Sequence, residues 1–201
     1  MSKKIIKMDF NTINQKLIDN EFNSSFEFEE SIISIEDLKE EEEKISERLK
    51  QISKSISLIL HEIIETNSRK KDKTINDIFD TANIPNISIY DYIIRIILYS
   101  NCDENILISS LVYFDKIGKI KKITYSNVYK ILFTSILLSL KYNEDEIYKN
   151  DYYSQIAGVS IYELKKMEYE FYILVNFNLY INKSNFMKYK YALEQINDWN
   201  L

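Results

Sequence analysis

Apolar residues fall on almost every side of the stretch 126–148. On a 3.6-residue wheel, Val128, Ile131, Leu132, Phe133, Ile136, Leu137, Leu138, Leu140 and Tyr142 surround most of the axis. A helix apolar nearly all round is enclosed by a domain or by a membrane, and this run is shorter than the roughly 20 residues a bilayer requires. The pattern predicts a central helix covering at least 127–140, with other helices packed around it. One strip stays polar: Asn127, Lys130, Thr134 and Lys141, spaced three, four and seven apart. Ser135 and Ser139, on another side, are small enough to let a neighbouring helix approach. The run breaks into charge at Lys141-Tyr142-Asn143-Glu144-Asp145.

Upstream, Leu38, Ile45, Leu49, Ile52, Ile56, Ile59 and Ile63 form a heptad stripe. With Ser34 as N-cap, Asp37 three residues on and Glu40 to Glu43 near the start, one amphipathic helix is predicted over 34–66. It packs along its own domain or forms a coiled-coil dimer. Residues 1–33 sustain no period and read as a mostly disordered tail, with docking of Phe22, Phe26 and Phe28 on the domain as the alternative. Residues 67–86 are polar, contain one short turn at 74–79, and read as a linker closed by Pro85.

Ser88 opens a helix over 89–99, whose Asp91 and Arg95 are spaced to pair along an exposed side. Asn101-Cys102-Asp103 breaks the chain and caps a helix running to about 117, ended by Gly118. Asp115 falls inside that helix's apolar face, between Leu111 and Ile108. This predicts a largely buried structural acid held by Arg95, Asn86 or a backbone amide. A loop over 119–124 leads into the central helix. Asn150 is placed to cap a short helix, 151–157, ended by Gly158. Ser160 and Glu163 form a capping box for a helix with the stripe Ile161, Leu164, Met167, Phe171, Leu174 and Val175. Glu168 sits in the middle of this stripe, where no solvated glutamate belongs. A last helix over 184–197 is amphipathic through Phe186, Lys190, Leu193 and Ile196.

Composition narrows the class. The 201 residues include two glycines and one proline, so few turns demand positive φ and helices are favoured over hairpins. The expected fold is all-α, with no strand longer than three residues. Neither glycine lies in a phosphate-cradling motif. The single Cys102 excludes an internal disulfide, and no signal peptide or membrane span is evident. A net charge of −5 gives nucleic acid no electrostatic support. His61 has no second His or Cys near it and is read as neither ligand nor base. No catalytic residues, metal site or cofactor are expected. Asp115 and Glu168 as an acid–base pair is the weaker reading, since buried acids more often serve structure or an interface.

Several strings resemble the cyclin family, and within it the P-type, also called U-type, cyclins. They are Asn86-Ile87-Ser88-Ile89-Tyr90-Asp91-Tyr92-Ile93-Ile94-Arg95-Ile96; Leu111-Val112-Tyr113-Phe114-Asp115-Lys116; Leu137-Leu138-Ser139-Leu140-Lys141-Tyr142-Asn143-Glu144-Asp145; Leu164-Lys165-Lys166-Met167-Glu168-Tyr169-Glu170-Phe171; and Asn176-Phe177-Asn178-Leu179. They occur in family order and spacing across 47–182, most strongly across 85–179. The resemblance implies a single five-helix cyclin box over 87–182, flanked by the N-terminal helix and a C-terminal helix in 183–201. The twenty or so residues after Asn182 are too few for a second box. It implies a non-catalytic regulatory subunit that binds and activates a cyclin-dependent protein kinase. In the family a Lys ending the third helix and a Glu in the fifth contact the kinase, and these match Lys141 and Glu168. The family's apolar contacts match Leu138, Tyr142, Phe177 and Leu179. Two departures stand out. Asn86 replaces the Arg that partners the acid matching Asp115, and Pro85, Ser88, Ile89 and Tyr92 replace a substrate-docking patch.

The expected partner is therefore a cyclin-dependent kinase, with no nucleic acid and no membrane. The chain is expected to be a monomer outside that complex, in the nucleus or cytoplasm. A cyclin-box scaffold for transcription machinery and a coiled-coil structural protein built on 38–63 are the alternatives. If Lys141 and Glu168 serve an interface alone, replacing either leaves the melting temperature of the free protein nearly unchanged.

Overall fold

The computed structural model describes residues 35–68 and 77–198. The tail over 1–33, its three phenylalanines, the Ser34 cap and the first part of the 74–79 turn lie outside the described residues. Within them the chain forms α1 (Ile35–Glu42), α2 (Glu47–Ser68), α3 (Ile89–Ser100), α4 (Glu104–Gly118), α5 (Val128–Asn143), α6 (Asn150–Ala157), α7 (Ile161–Leu174) and α8 (Lys183–Asp198). No strand occurs among the described residues, and none of their helices is long and apolar enough to cross a membrane.

Four of the expected capping signals act. The side chains of Ser88, Asp103 and Ser160 accept from the backbone N–H of Asp91, Ile106 and Glu163. Gly158 ends α6 in the left-handed region, at φ 69°. Its missing Cβ makes that conformation cheap.

α5 is the enclosed centre. Every residue from Val128 to Leu140 except Lys130 is buried. Its most extensive partner is α4. Ser139 explains the close fit, because its hydroxyl donates to the Ile106 carbonyl of α4 at 3.0 Å. The polar strip is satisfied residue by residue. Asn127 accepts from the Thr124 N–H and donates to the Lys122 carbonyl. Lys130 reaches the Asp80 carbonyl at 2.7 Å and pairs with Glu163 of α7 at 2.8 Å. Thr134 bonds back to the Lys130 carbonyl.

The N-terminal region departs from one continuous helix. The chain turns at 43–46 and restarts at Glu47. The run Glu40 to Glu43 therefore lies at the end of α1, the negative end of its dipole, where acids disfavour continuation. The heptad stripe nonetheless points inward: Leu38, Ile45, Ile52 and Ile56 are buried, and Leu49, Ile59 and Ile63 pack against the core. That leaves no apolar seam for a coiled coil. His61 is a packed residue, its Nδ1 3.2 Å from the Tyr125 hydroxyl.

The segment before α3 does more than tether. Phe79 is fully buried and meets Phe171 of α7 edge-on, ring centroids 6.3 Å apart. Arg95 and Asp91 find different partners. Arg95 donates to the Gln155 carbonyl at 3.2 Å, while Asp91 accepts from the Ser88 hydroxyl at 2.6 Å. Ile89 and Tyr92 face inward, with Tyr92 edge-on to Tyr129 at 5.3 Å. The positions matching a docking patch thus present no open apolar surface from these two residues.

Asp115 corrects the wheel reading. Its side chain is 42% exposed, and its partners are Lys119 at 2.7 Å and the Tyr189 hydroxyl of α8 at 2.7 Å. Arg95 is bonded elsewhere, and Asn86 is exposed. Burial pushes the Asp115 carboxyl upward, but Lys119 and Tyr189 outweigh it and hold it below the usual range. The apolar face of α4 is broken at this edge because α8 supplies a hydroxyl there rather than a wall of carbon.

Candidate functional site

Lys141 stands in the last turn of α5, where a cation suits the helix dipole. It is the point at which the polar strip leaves the enclosed part of the helix. Glu168 stands midway along α7, on the face that buries Leu164, Met167 and Phe171. The fold brings the two together as a direct ion pair, Lys141 Nζ to Glu168 Oε1. Their side chains are 19% and 10% exposed, so the pair is largely withdrawn from water. Charges in such a place need further hydrogen bonds, since Coulomb attraction alone seldom offsets their desolvation.

The further bonds come from Asn150. Its Oδ1 accepts from Lys141 Nζ at 2.6 Å, and its Nδ2 donates to Glu168 Oε2 at 2.6 Å. The three side chains close a ring in which each carboxylate oxygen meets one donor. Asn150 does not cap α6. Lys149 is the N-cap residue, and no side-chain cap bond forms there.

An aromatic surface borders the ring. Tyr142, next to Lys141, is 52% exposed, and Phe177 is 68% exposed. The end of α7 explains Phe177. The Asn176 N–H donates to the Ile173 carbonyl and the Phe177 N–H to the Tyr172 carbonyl, the two bonds of a Schellman motif. Its usual companion is an apolar contact between the two outer positions. Here Tyr172 and Phe177 stack at 6.0 Å, with ring planes 10° apart. Asn176 and Phe177 both have positive φ, at 53° and 54°. Asn adopts this region readily, whereas a bulky aromatic there is an outlier that packing must impose. Strain that aims an apolar ring at solvent is a hint of function.

Of the six residues matched to kinase contacts, Lys141 and Glu168 are in direct contact, while Tyr142, which follows Lys141, and Phe177, stacked on the Tyr172 that neighbours Glu168, are exposed. Leu138 and Leu179 do not join them as surface groups. Leu138 is fully enclosed and Leu179 is 5% exposed. Leu138 occupies the buried core of α5. The Leu179 carbonyl accepts from the Tyr113 hydroxyl at 2.7 Å, which pulls its segment onto α4. An open groove lined by Tyr113, Tyr142, Leu179 and Phe186 continues the patch toward the start of α8.

Sequence reading missed Asn150. Tyr172, four residues after Glu168 on the same helix face, is legible from spacing as its neighbour. Asn150 carried no such signal. It is nine residues from Lys141 and eighteen from Glu168, and its place before a short helix suggested a cap. Among the described residues no group of His, Cys, Asp or Glu is arranged to hold a metal ion. Cys102 is buried, and burial pushes its thiol well above the ordinary value.

A family model described as Cyclin matches residues 30–179. Cyclin-U4-3 of Arabidopsis thaliana is 30% identical over 151 residues, covering 74% of this chain and 69% of the relative. Cyclin-U2-2 of the same plant is 34% identical over 121 residues, covering 59% of this chain and 53% of the relative. PHO85 cyclin-7 of Saccharomyces cerevisiae is 28% identical over 172 residues, covering 72% and 60%. The matched part of the chain thus spans about half to two thirds of the length of these relatives.

Proposed function

The chain belongs to the cyclin family, among relatives named as U- and P-type and PHO85 cyclins, and from that premise we propose that the Lys141–Glu168 surface is where it grips and activates a cyclin-dependent kinase. A cyclin is a non-catalytic regulatory subunit, so the chain performs no chemistry of its own. It acts by binding the active arrangement of the kinase better than the inactive one, and only that difference in affinity shifts the kinase's equilibrium. The complex is one cyclin chain with one kinase. No nucleic acid takes part, in keeping with the net charge of −5, and none of the described helices is long and apolar enough to cross a membrane.

The observation that carries the site is a withdrawn ion pair followed in sequence by exposed Tyr142 and linked through Tyr172 to a strained, exposed Phe177. Aromatic anchors supply apolar contact, and the charges fix register, which is how interface hot spots are built. Leu138 and Leu179 are buried and add no exposed surface to it.

Phe177→Gly tests it. Glycine accepts φ of 54° without strain, so the variant loses the ring and its stack on Tyr172 but relaxes the backbone. Kinase affinity should fall about 30-fold or more, as for a hot-spot aromatic. The melting temperature should move by no more than roughly 4 °C, because relief of ~1–2 kcal/mol of strain offsets the lost stack. Unchanged affinity and unchanged kinase activation would remove Phe177 from the site.

A further inference from the structure

We propose that Asn150 is the positioning residue of this site, splinting Lys141 to Glu168 so that both meet the kinase in one fixed pose. The inference rests on the site assignment above and adds a residue to it.

Three facts point the same way. First, the amide bridges the pair at 2.6 Å on each side. Its orientation follows from chemistry: the oxygen must face the ammonium, and the NH₂ must face the carboxylate. Of the short side chains, Asn is the neutral one that offers an acceptor and a donor from a single planar group. Second, the local helix does not call on this side chain, because α6 starts from Lys149 with no side-chain cap bond. Third, α6 is anchored. The Tyr152 hydroxyl donates to the Tyr99 carbonyl of α3 at 2.9 Å, and Tyr153 is buried. Asn150 therefore conveys the rigidity of the α3–α6 contact to an ammonium on a flexible four-carbon stem.

The ring leaves capacity for a partner. Lys141 has three N–H groups, and two are committed to Asn150 and Glu168. The Glu168 carboxylate has about four acceptor positions, and two are occupied. What remains is one donor on Lys141 and about two acceptor positions on Glu168, on side chains that are 19% and 10% exposed and held in a fixed relation. Without Asn150 the pair persists but can swivel. The ordering cost then falls at the moment of binding, when it weakens affinity.

Two variants separate this from plain packing. Asn150→Ala removes both bonds. Asn150→Asp keeps the volume and places an acid in the first turn of α6, which the helix dipole favours. As a carboxylate, however, it no longer donates to Glu168 and repels it. The test is a double-mutant cycle on affinity for the cyclin-dependent kinase recovered with the chain from its own cells, with melting curves in parallel. Asn150→Ala should weaken binding about 10-fold, a hydrogen bond to charged groups being worth about that much or more. In a Lys141→Ala background the same change should cost roughly nothing further, because its route to the kinase is gone. Asn150→Asp should bind no better than Asn150→Ala, the helix dipole returning only part of the thermal stability that repulsion of Glu168 removes. Additive losses, or Asn150→Asp binding at full strength beside a weakened Lys141→Ala, would overturn the inference and leave the site standing. Full-strength binding by Lys141→Ala would overturn the site, and this inference with it.

Discussion

Replacing Lys141 and Glu168 separately and together distinguishes a pair that serves the fold from one that serves a partner. Because the two bond to each other in the free chain, the expectation that either could be removed without thermal cost no longer holds. Lys141→Ala strands the Glu168 carboxylate, whose side chain is 10% exposed, with Asn150 as its remaining donor. Breaking a buried pair costs about 3–5 kcal/mol, and partial exposure here brings that to about 2–4 kcal/mol. For a domain of this size that is a drop of about 4–16 °C. Glu168→Ala should cost less, about 1–2 kcal/mol, because the lysine stem can swing its ammonium into water while a glutamate fixed on α7 cannot move its charge as far. Lys141→Met with Glu168→Leu replaces both charges by apolar groups of similar size. Such swaps are often neutral or stabilising, so the double variant should melt close to the unaltered protein. Affinity should follow a different order. Loss of either member of a desolvated pair at an interface costs about 2–5 kcal/mol, or roughly 30- to 3,000-fold, and the apolar double variant should not regain it. Calorimetric melting and titration against the partner kinase read the two properties separately. A double variant that binds the kinase at full strength would show that the pair serves the fold alone. Glu168→Ala melting below Lys141→Ala would refute the geometric argument.

Two further outcomes follow from ionised groups away from this surface. Asp115 is 42% exposed, so Asp115→Asn should lower the melting temperature by only about 2–4 °C, corresponding to about 1 kcal/mol; a loss of 10 °C or more by the same measurement would restore the buried-acid reading. Glu104 is held below its ordinary range chiefly by the hydrogen bond from Arg48, with burial opposing and Lys190 assisting. A depressed folded pKa means its stabilisation is complete above the unfolded value of about 4.3 and is lost as pH falls through the folded one. Melting temperature should therefore fall on acidification below about pH 5, less steeply in Glu104→Gln, and equal slopes would discount this contact between α2, α4 and α8.

What could be read from sequence was whatever a residue's own helix decides. α5 was legible because its apolar positions encircle it, and Ser139 was legible as a close approach because its size is visible without a partner. Glu168 was legible as misplaced because its stripe is otherwise apolar. Readings failed where a second element sets the outcome. Asp115 looked buried on α4 alone, but Tyr189 of α8 turns that edge polar. The turn at 43–46 is hidden because the heptad spacing happens to continue across it, and the acids that end α1 stand where the first turn of one long helix would also place them. Leu138 and Leu179 matched contact positions, yet their exposure depends on how α4 and the 176–182 segment close over them. Phe177 in the left-handed region runs against its own backbone preference, so no local rule would place it there. Asn150 needed three elements, α5, α6 and α7, to be assembled before its amide had anything to bridge.

We propose that this cyclin activates one kinase through the Lys141–Glu168 surface. The most direct measurement is parallel recovery of the tagged full chain and its Lys141→Met/Glu168→Leu variant from the source cells, followed by assay of the bound protein kinase activity. One cyclin-dependent kinase should be recovered in near-equal amount with the unaltered chain, active in phosphotransfer, and should be absent from an equally stable variant. Equal kinase and equal activity with both chains, or no kinase with the unaltered one, would contradict it.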